Sequence, residues 1–186
     1  MTEFITHPDY GQPWTVDDLD RLPDDELRYE IVDGSLLVSP APRRRHTRVA
    51  NLLRDLLSAQ AAGGFKAVQD AGVTIRGRRT YFVPDISIVS LTALGKDGDD
   101  YFNQDEVFLA IEVLSPSNPG NDLVLKRHYY ATGGIRHYWI VDPDERTLTV
   151  LELDRDEYVE KVVVRAGEVF RTDEPFPVDL DLTDFL

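Results

Sequence analysis

Hydrophobic positions along this chain follow three rhythms, and each predicts a kind of element. Val49, Leu52, Leu53, Leu56 and Leu57 fall at the three-and-four spacing of one helical face. Pro40 and Pro42 precede that stretch and Gly63-Gly64 follows it, so it predicts a helix from just past Pro42 to about Ala62. Nearly unbroken apolar runs come next, at residues 65–69 continuing into 73–75, then 81–90, then 107–114. Their length and β-branched content predict three strands. Residues 91–103 are polar and contain glycine, a loop or short helix. A second helix is expected over 121–132, closing on Gly133-Gly134, and a strand over 136–141 ended by Asp142-Pro143. Residues 147–153 and 158–165 show strict alternation, as antiparallel strands do. Near the N-terminus, Asp33-Gly34 between 29–32 and 35–39 is the signal of a type I′ hairpin. Thr15 with Asp18, backed by Leu19 and Leu22, predicts a capped short helix ending at Pro23.

The centre therefore reads helix, three strands, helix, strand. That mixed α/β (α+β) order sets helices against a central sheet, with an N-terminal hairpin and C-terminal antiparallel strands added. With 186 residues, 42% of them hydrophobic, and no repeat or low-complexity tract, one domain over residues 1–186 is expected, residues 1–13 forming a flexible lead. Cysteine is absent, which excludes disulfides, thiol nucleophiles and cysteine-based metal sites. No apolar run has membrane-spanning length, and the first ten residues lack the basic and apolar parts of a signal peptide. A cytoplasmic protein without membrane contact is the expectation.

Charge changes this picture. The formal net charge of −14 argues against nucleic acid and against an anionic membrane surface. Its distribution says otherwise. Residues 43–79 carry nine bases and two acids, whereas residues 1–42 carry ten acids and two bases, and residues 140–186 fourteen acids and five bases. The island is rich in arginine, including Arg43, Arg44, Arg45 and Arg48 at the start of the first helix. Arginine forks suit bidentate contact with phosphate, although a solvated helix face also accounts for them.

Two acids break the apolar strands. Glu112 is the single charge in residues 107–114, and Asp85, after Pro84, the single charge in residues 81–90. An ionised carboxylate buried in such a strand is costly unless it is paired or binds a cation. Neighbouring strands could bring the two acids together, where a divalent cation would relieve their repulsion; all-oxygen ligands favour magnesium, manganese or calcium over zinc. Alternatively, one acid caps a backbone group and the other pairs with an arginine. Lys126, one of four lysines, lies one turn into the second helix and could reach back to the sheet, or simply form an i,i+4 pair with Asp122. Tyr129, Tyr130, Tyr138 and Trp139 read as core residues.

Together these residues resemble a known family. Pro84-Asp85, Glu112-Val113-Leu114-Ser115-Pro116-Ser117, Asp122, Lys126 and Tyr138-Trp139-Ile140-Val141-Asp142-Pro143 are similar to the Uma-type restriction-endonuclease family, within the PD-(D/E)XK nuclease superfamily. Tyr29-Glu30-Ile31-Val32-Asp33-Gly34 and Ser39-Pro40-Ala41-Pro42 resemble its N-terminal motif. The similarity runs from about residue 14 to 186. It implies a restriction endonuclease-like fold, Asp85 and Glu112 as ligands of a catalytic divalent metal (Mg2+ or Mn2+), and Glu30 as an additional acid. The superfamily's usual lysine, two residues after the second acid, is Leu114 here, and the resemblance moves that role to Lys126.

The implied activity is hydrolysis of DNA phosphodiester bonds, with Lys126 orienting the attacking water and Arg43, Arg44, Arg45 and Arg48 contacting DNA. His46, on the same helix, is expected to touch the site or DNA, or to be a surface histidine. A homodimer is expected, because cutting both strands calls for two symmetric sites. The alternative is a catalytically inactive module of the same fold that binds DNA or protein.

Overall fold

A computed structural model of the chain describes residues 3–7, 11–61, 63–95, 100–115 and 120–186. The N-terminal part contributes β1 (Glu3–Ile5), a 3-10 helix (Val16–Arg21), β2 (Leu27–Val32) and β3 (Ser35–Pro40). Helix α1 (Arg44–Gln60) leads to β4 (Phe65–Gln69), β5 (Gly72–Thr74), β6 (Tyr81–Phe82) and β7 (Ile86–Ser90). Then come α2 (Leu91–Leu94), β8 (Tyr101–Asn103) and β9 (Val107–Val113). A π-helical turn (Asn121–Lys126) runs into α3 (Arg127–Thr132), followed by β10 (His137–Asp142), β11 (Thr147–Asp154), β12 (Glu157–Arg165), β13 (Val169–Thr172) and β14 (Val178–Asp181).

Two six-stranded sheets carry the architecture. One has the order β12-β11-β10-β9-β7-β4, with β9 and β10 parallel; the other is β1-β3-β2-β6-β5-β8. In the first sheet the two faces bury different partners. Leu109 and Ile111 of β9 and Trp139 and Val141 of β10 pack with Val49, Leu53 and Leu57 of α1. The alternate residues Ala110, Tyr138 and Ile140 pack with Tyr130 and Ala131 of α3 and with Phe82. Strand periodicity therefore turns Glu112, two residues after Ala110, towards α3.

The expected core order holds, and the hairpin forms about Asp33 (φ 48°) and Gly34 (φ 80°), both in the left-handed region that a type I′ turn requires. Two expected strands are each divided between the sheets. Residues 65–75 make β4 in one sheet and β5 in the other, turning at Asp70 (φ 51°). Residues 81–90 make β6 and β7, parted at 83–85, where Pro84 has no amide hydrogen to continue a ladder. Periodicity alone does not reveal such a crossing, because both halves stay apolar. Residues 91–103, expected as a loop or short helix, supply both α2 and strand β8, and β13–β14 form a further hairpin near the C-terminus. Glu3–Ile5, within the stretch expected as a flexible lead, pairs with β3, and Trp14 donates its indole N–H to the Ile5 carbonyl at 3.0 Å. Ser115-Pro116-Ser117 predicts a break of the third strand; β9 ends at Val113, and residues 116–119 lie outside the described residues.

Candidate active site

The site forms where the chain crosses between the sheets. At the Pro84 break β7 cannot yet pair with the end of β9, and the Val113 amide would be left without a partner. Asp85 fills that place: its Oδ2 accepts the Val113 N–H at 2.8 Å. His46 of α1 reaches the same oxygen through Nε2 at 2.9 Å, and Arg28 of β2 donates to Oδ1 at 3.0 Å. The Arg28 guanidinium also binds Asp70 at 2.8 Å, tying β2 to the corner between β4 and β5. Asp85 is 2% exposed. Burial alone would raise its pKa; the His46 hydrogen bond and charge, then Arg28 and Lys126, outweigh burial and bring it down to about 2.

Glu112 lies one strand over. Its Oε1 accepts from Lys126 Nζ at 2.9 Å and from the Tyr130 hydroxyl at 2.8 Å. Glu30 of β2 completes the group: its Oε1 contacts the same Lys126 nitrogen at 3.0 Å and accepts the Val83 N–H at 3.0 Å. One ammonium thus bridges carboxylates from two sheets. Glu30, Glu112 and Lys126 are each no more than 3% exposed. Burial, then the Glu112 charge, pushes the Tyr130 hydroxyl well above its ordinary pKa, so it stays a donor. Burial pulls the Arg28 pKa down, but Asp85, Glu30 and Glu112 together push it up further, so Arg28 stays charged.

A family model described as "Putative restriction endonuclease", named Uma2, matches residues 16–184. The chain belongs to the Uma2 family. Among solved structures, a crystal structure of "a putative nuclease belonging to DUF820" from Anabaena variabilis aligns with a TM-score of 0.71 at 20% identity, covering 93% of this chain and 97% of that one. That likeness is one of fold, and the fold is restriction endonuclease-like. No curated protein matches.

Within this Uma2 chain the cluster joins Asp85, Glu112, Glu30, Lys126 and His46. The arginines expected beside them lie apart: Arg43, Arg44, Arg45 and Arg48 are exposed, and Arg45 is engaged by Asp144 and the Pro143 carbonyl. Of the places open to His46 (the site, DNA or the surface), the structure gives it the site: it faces inward, is 8% exposed and sets its ring on Asp85. Leu114, at the superfamily's lysine position, gives its amide to the Val141 carbonyl at 2.8 Å. The Asp122 side chain of the anticipated i,i+4 pair lies outside the described residues. The second alternative for the acids is met in part: Asp85 both caps a backbone amide and pairs with an arginine, whereas Glu112 pairs with Lys126.

Two members of the cluster escaped the sequence reading. Arg28 precedes Glu30 by two residues on a strand, so both face the same way. Tyr130 follows Lys126 by four on a helix and shares its face, although its apolar ring reads as core. Each spacing was a usable signal.

The donor types suit a hard divalent cation: buried carboxylate oxygens from β2, from β9 and from the residue just before β7. Among the described residues no three His, Asp or Glu side chains are spaced to enclose an ion by themselves. Lys126 takes the inner oxygens of Glu30 and Glu112, while Arg28 and His46 stand on Asp85. That arrangement is compatible with magnesium, which commonly takes one or two protein carboxylates and completes its shell with water and phosphate oxygens.

Proposed function

We propose that the chain is a divalent-metal-dependent endonuclease that hydrolyses DNA phosphodiester bonds. The observation that carries this reading is a buried ammonium, Lys126, held between carboxylates from two sheets, Glu30 and Glu112, beside a third buried acid, Asp85. In a protein core such charge is costly, and membership of a restriction-endonuclease family supplies the reason to keep it.

Asp85 and Glu112 are the ligands for Mg2+ or Mn2+, with Glu30 as the additional acid. Bound there, the ion supplies Lewis acidity, polarising phosphate oxygens and making water a nucleophile near neutral pH. The chain's own residues do the rest. Lys126, fixed by Glu30 and Glu112, orients the attacking water and offsets negative charge building on the phosphate. Tyr130 holds Glu112 in position, and His46 and Arg28 keep Asp85 ionised. Arg43, Arg44 and Arg48 bind the flanking DNA backbone, which positions the duplex without reading its sequence.

Cutting both strands requires a second site, so the working unit is a homodimer; light scattering with and without duplex measures this. Among the described residues no helix is long and apolar enough to cross a membrane, and we place the protein in the cytoplasm with its substrate.

Plasmid cleavage in magnesium tests the reading, with EDTA and Asp85→Ala as controls. Nicking lost in both controls supports it. Equal nicking by wild type and Asp85→Ala marks a contaminant and sinks the assignment.

One observation favours a second reading, a nuclease-fold module without turnover that binds DNA or protein. Each acid of the cluster already contacts a basic side chain of the same chain. Calorimetric titration with magnesium and manganese separates the two readings: no heat of binding favours the module, and binding abolished by Asp85→Ala favours the enzyme.

A further inference from the structure

The next turn of α3 and the far end of β2 line a separate cleft of about 530 Å³ together with the β5–β6 connection. Its walls carry Arg76 and Arg79 from the β5–β6 connection and His128 and Thr132 from α3, the helix that also supplies Tyr130 to the site. Asp33, the acid among its lining residues, is already engaged: it accepts the Tyr129 hydroxyl at 2.5 Å and the Thr80 hydroxyl at 3.3 Å. Neither Arg76 nor Arg79 forms an ion pair with a described residue, whereas nearby Arg78 is taken by Asp17 and Arg28 by Asp70 and Asp85. Both free guanidinium groups are exposed. The Arg76 backbone sits in the left-handed region (φ 53°), a conformation that costs a side-chain-bearing residue about 1 kcal/mol. Its amide is held there by the Gln104 side chain.

We propose that this cleft is a phosphate-binding site, which receives a backbone phosphate of the nucleic acid beyond the one being cut. The inference rests on the reading of the substrate as nucleic acid. Two planar guanidinium forks match the donors that tetrahedral phosphate oxygens accept, while the Thr132 hydroxyl is already donated to the His128 carbonyl at 3.1 Å. Position supports the same partner. Tyr129, in the lining of the cleft, lies beside Tyr130, whose hydroxyl binds Glu112 at 2.8 Å. Asp33 lies three residues beyond Glu30, just past the end of β2 and about 10 Å along the strand direction. The cleft therefore shares α3 and the end of β2 with the catalytic cluster. Together with the exposed start of α1, whose His46 touches Asp85, it gives the site basic surface from two separate elements.

The test is fluorescence anisotropy of a labelled duplex with the full chain in EDTA, titrated at several chloride concentrations. Arg76→Ala/Arg79→Ala should weaken binding at least tenfold and lower the slope of log K against log salt by about two. Arg76→Lys/Arg79→Lys should keep that slope. The exposed pair Arg155→Ala/Arg165→Ala, on the C-terminal strands, removes the same charge and should change affinity less than threefold. Equal losses for the two alanine pairs overturn the cleft. Sodium phosphate at matched ionic strength is the second arm and should displace duplex no better than chloride. Specific phosphate binding, with duplex affinity unchanged in Arg76→Ala/Arg79→Ala, makes this a free-anion site and overturns the assignment to nucleic acid. No duplex binding by wild type overturns the substrate reading as well; wild-type binding matched by the alanine pair overturns the cleft alone. Thermal melts confirm that each exposed variant folds.

Discussion

Helix α1 separates two charged regions that obey different physics. On its inner side His46 joins a buried cluster in which Asp85, Glu112, Glu30, Arg28 and Lys126 meet partners at 2.8–3.0 Å. On its outer side Arg43, Arg44 and Arg48 are exposed and make no ion pair with a described residue. The helix has no acid in its first turn, so these arginines sit unfavourably at the positive end of its dipole. Away from water a charge without a partner costs several kcal/mol, so the inner charges are positioned by one another. Water solvates the outer ones, which leaves them available to a partner from outside. Position in the buried region is a condition of folding; in the exposed region it is free to serve binding alone.

The comparison breaks if the buried charges can be removed cheaply. Lys126→Met leaves Glu30 and Glu112 without their shared cation and is expected to destabilise the fold by about 3–5 kcal/mol, measured as a lower denaturant midpoint. A loss under about 1 kcal/mol would mean that the cluster behaves like a solvated surface pair. Tyr130→Phe removes one hydrogen bond from buried Glu112 and should cost about 1–3 kcal/mol. Reduced cleavage with unchanged metal affinity would sharpen its role as a residue that positions Glu112.

Acid titration probes the same region from the other side. Asp85 is held at about 2 in the fold, against about 3.9 in an unfolded chain. Its folded pKa is depressed, so its contribution is fully present above about pH 4 and is lost as the pH falls towards 2. The stability curve of Asp85→Asn should be flatter than wild type over that window, and parallel curves would contradict the assignment. The smallest effect on stability belongs to the exposed region: Arg43→Ala/Arg44→Ala/Arg48→Ala should change it by less than about 0.5 kcal/mol. The same triple variant should lower the salt slope of duplex binding by about three. A destabilised triple variant with an unchanged slope would erase the contrast between the two sides of α1.

Much of the site was legible because its residues break local patterns. A single acid in an apolar strand is conspicuous, which is how Asp85 and Glu112 stand out. Lys126 is conspicuous as one of four lysines among many arginines. Arg28 lies in an acidic stretch where a base looks like ordinary surface charge, and Tyr130 lies where an aromatic ring looks like core. Only their spacing, two residues before Glu30 on a strand and four after Lys126 on a helix, offered a signal. His46 lies among exposed arginines, and its sequence position left site, DNA and surface all open; only the rotation of α1 against β7 and β9 turns it inward. The C-terminal β13–β14 hairpin shows the same limit, because its short strands alternate too briefly to stand out from a loop.

The family resemblance supplied Glu30 and the role of Lys126; sequence pattern by itself determined the order of the central elements, the type I′ hairpin, the apolar faces of α1, β9 and β10, and the two acids that break apolar strands. Those features depend on side-chain periodicity and turn chemistry, which act over a few residues. Tertiary structure decided that residues 65–75 and 81–90 each cross from one sheet to the other, and that the crossing brings Arg28 and Glu30 of one sheet against Asp85 and Glu112 of the other. It also decided that a single ammonium would sit between Glu30 and Glu112. Pairing between sheets depends on contacts distant in sequence, and the electrostatic cost of burial selects among them only once the layers have met.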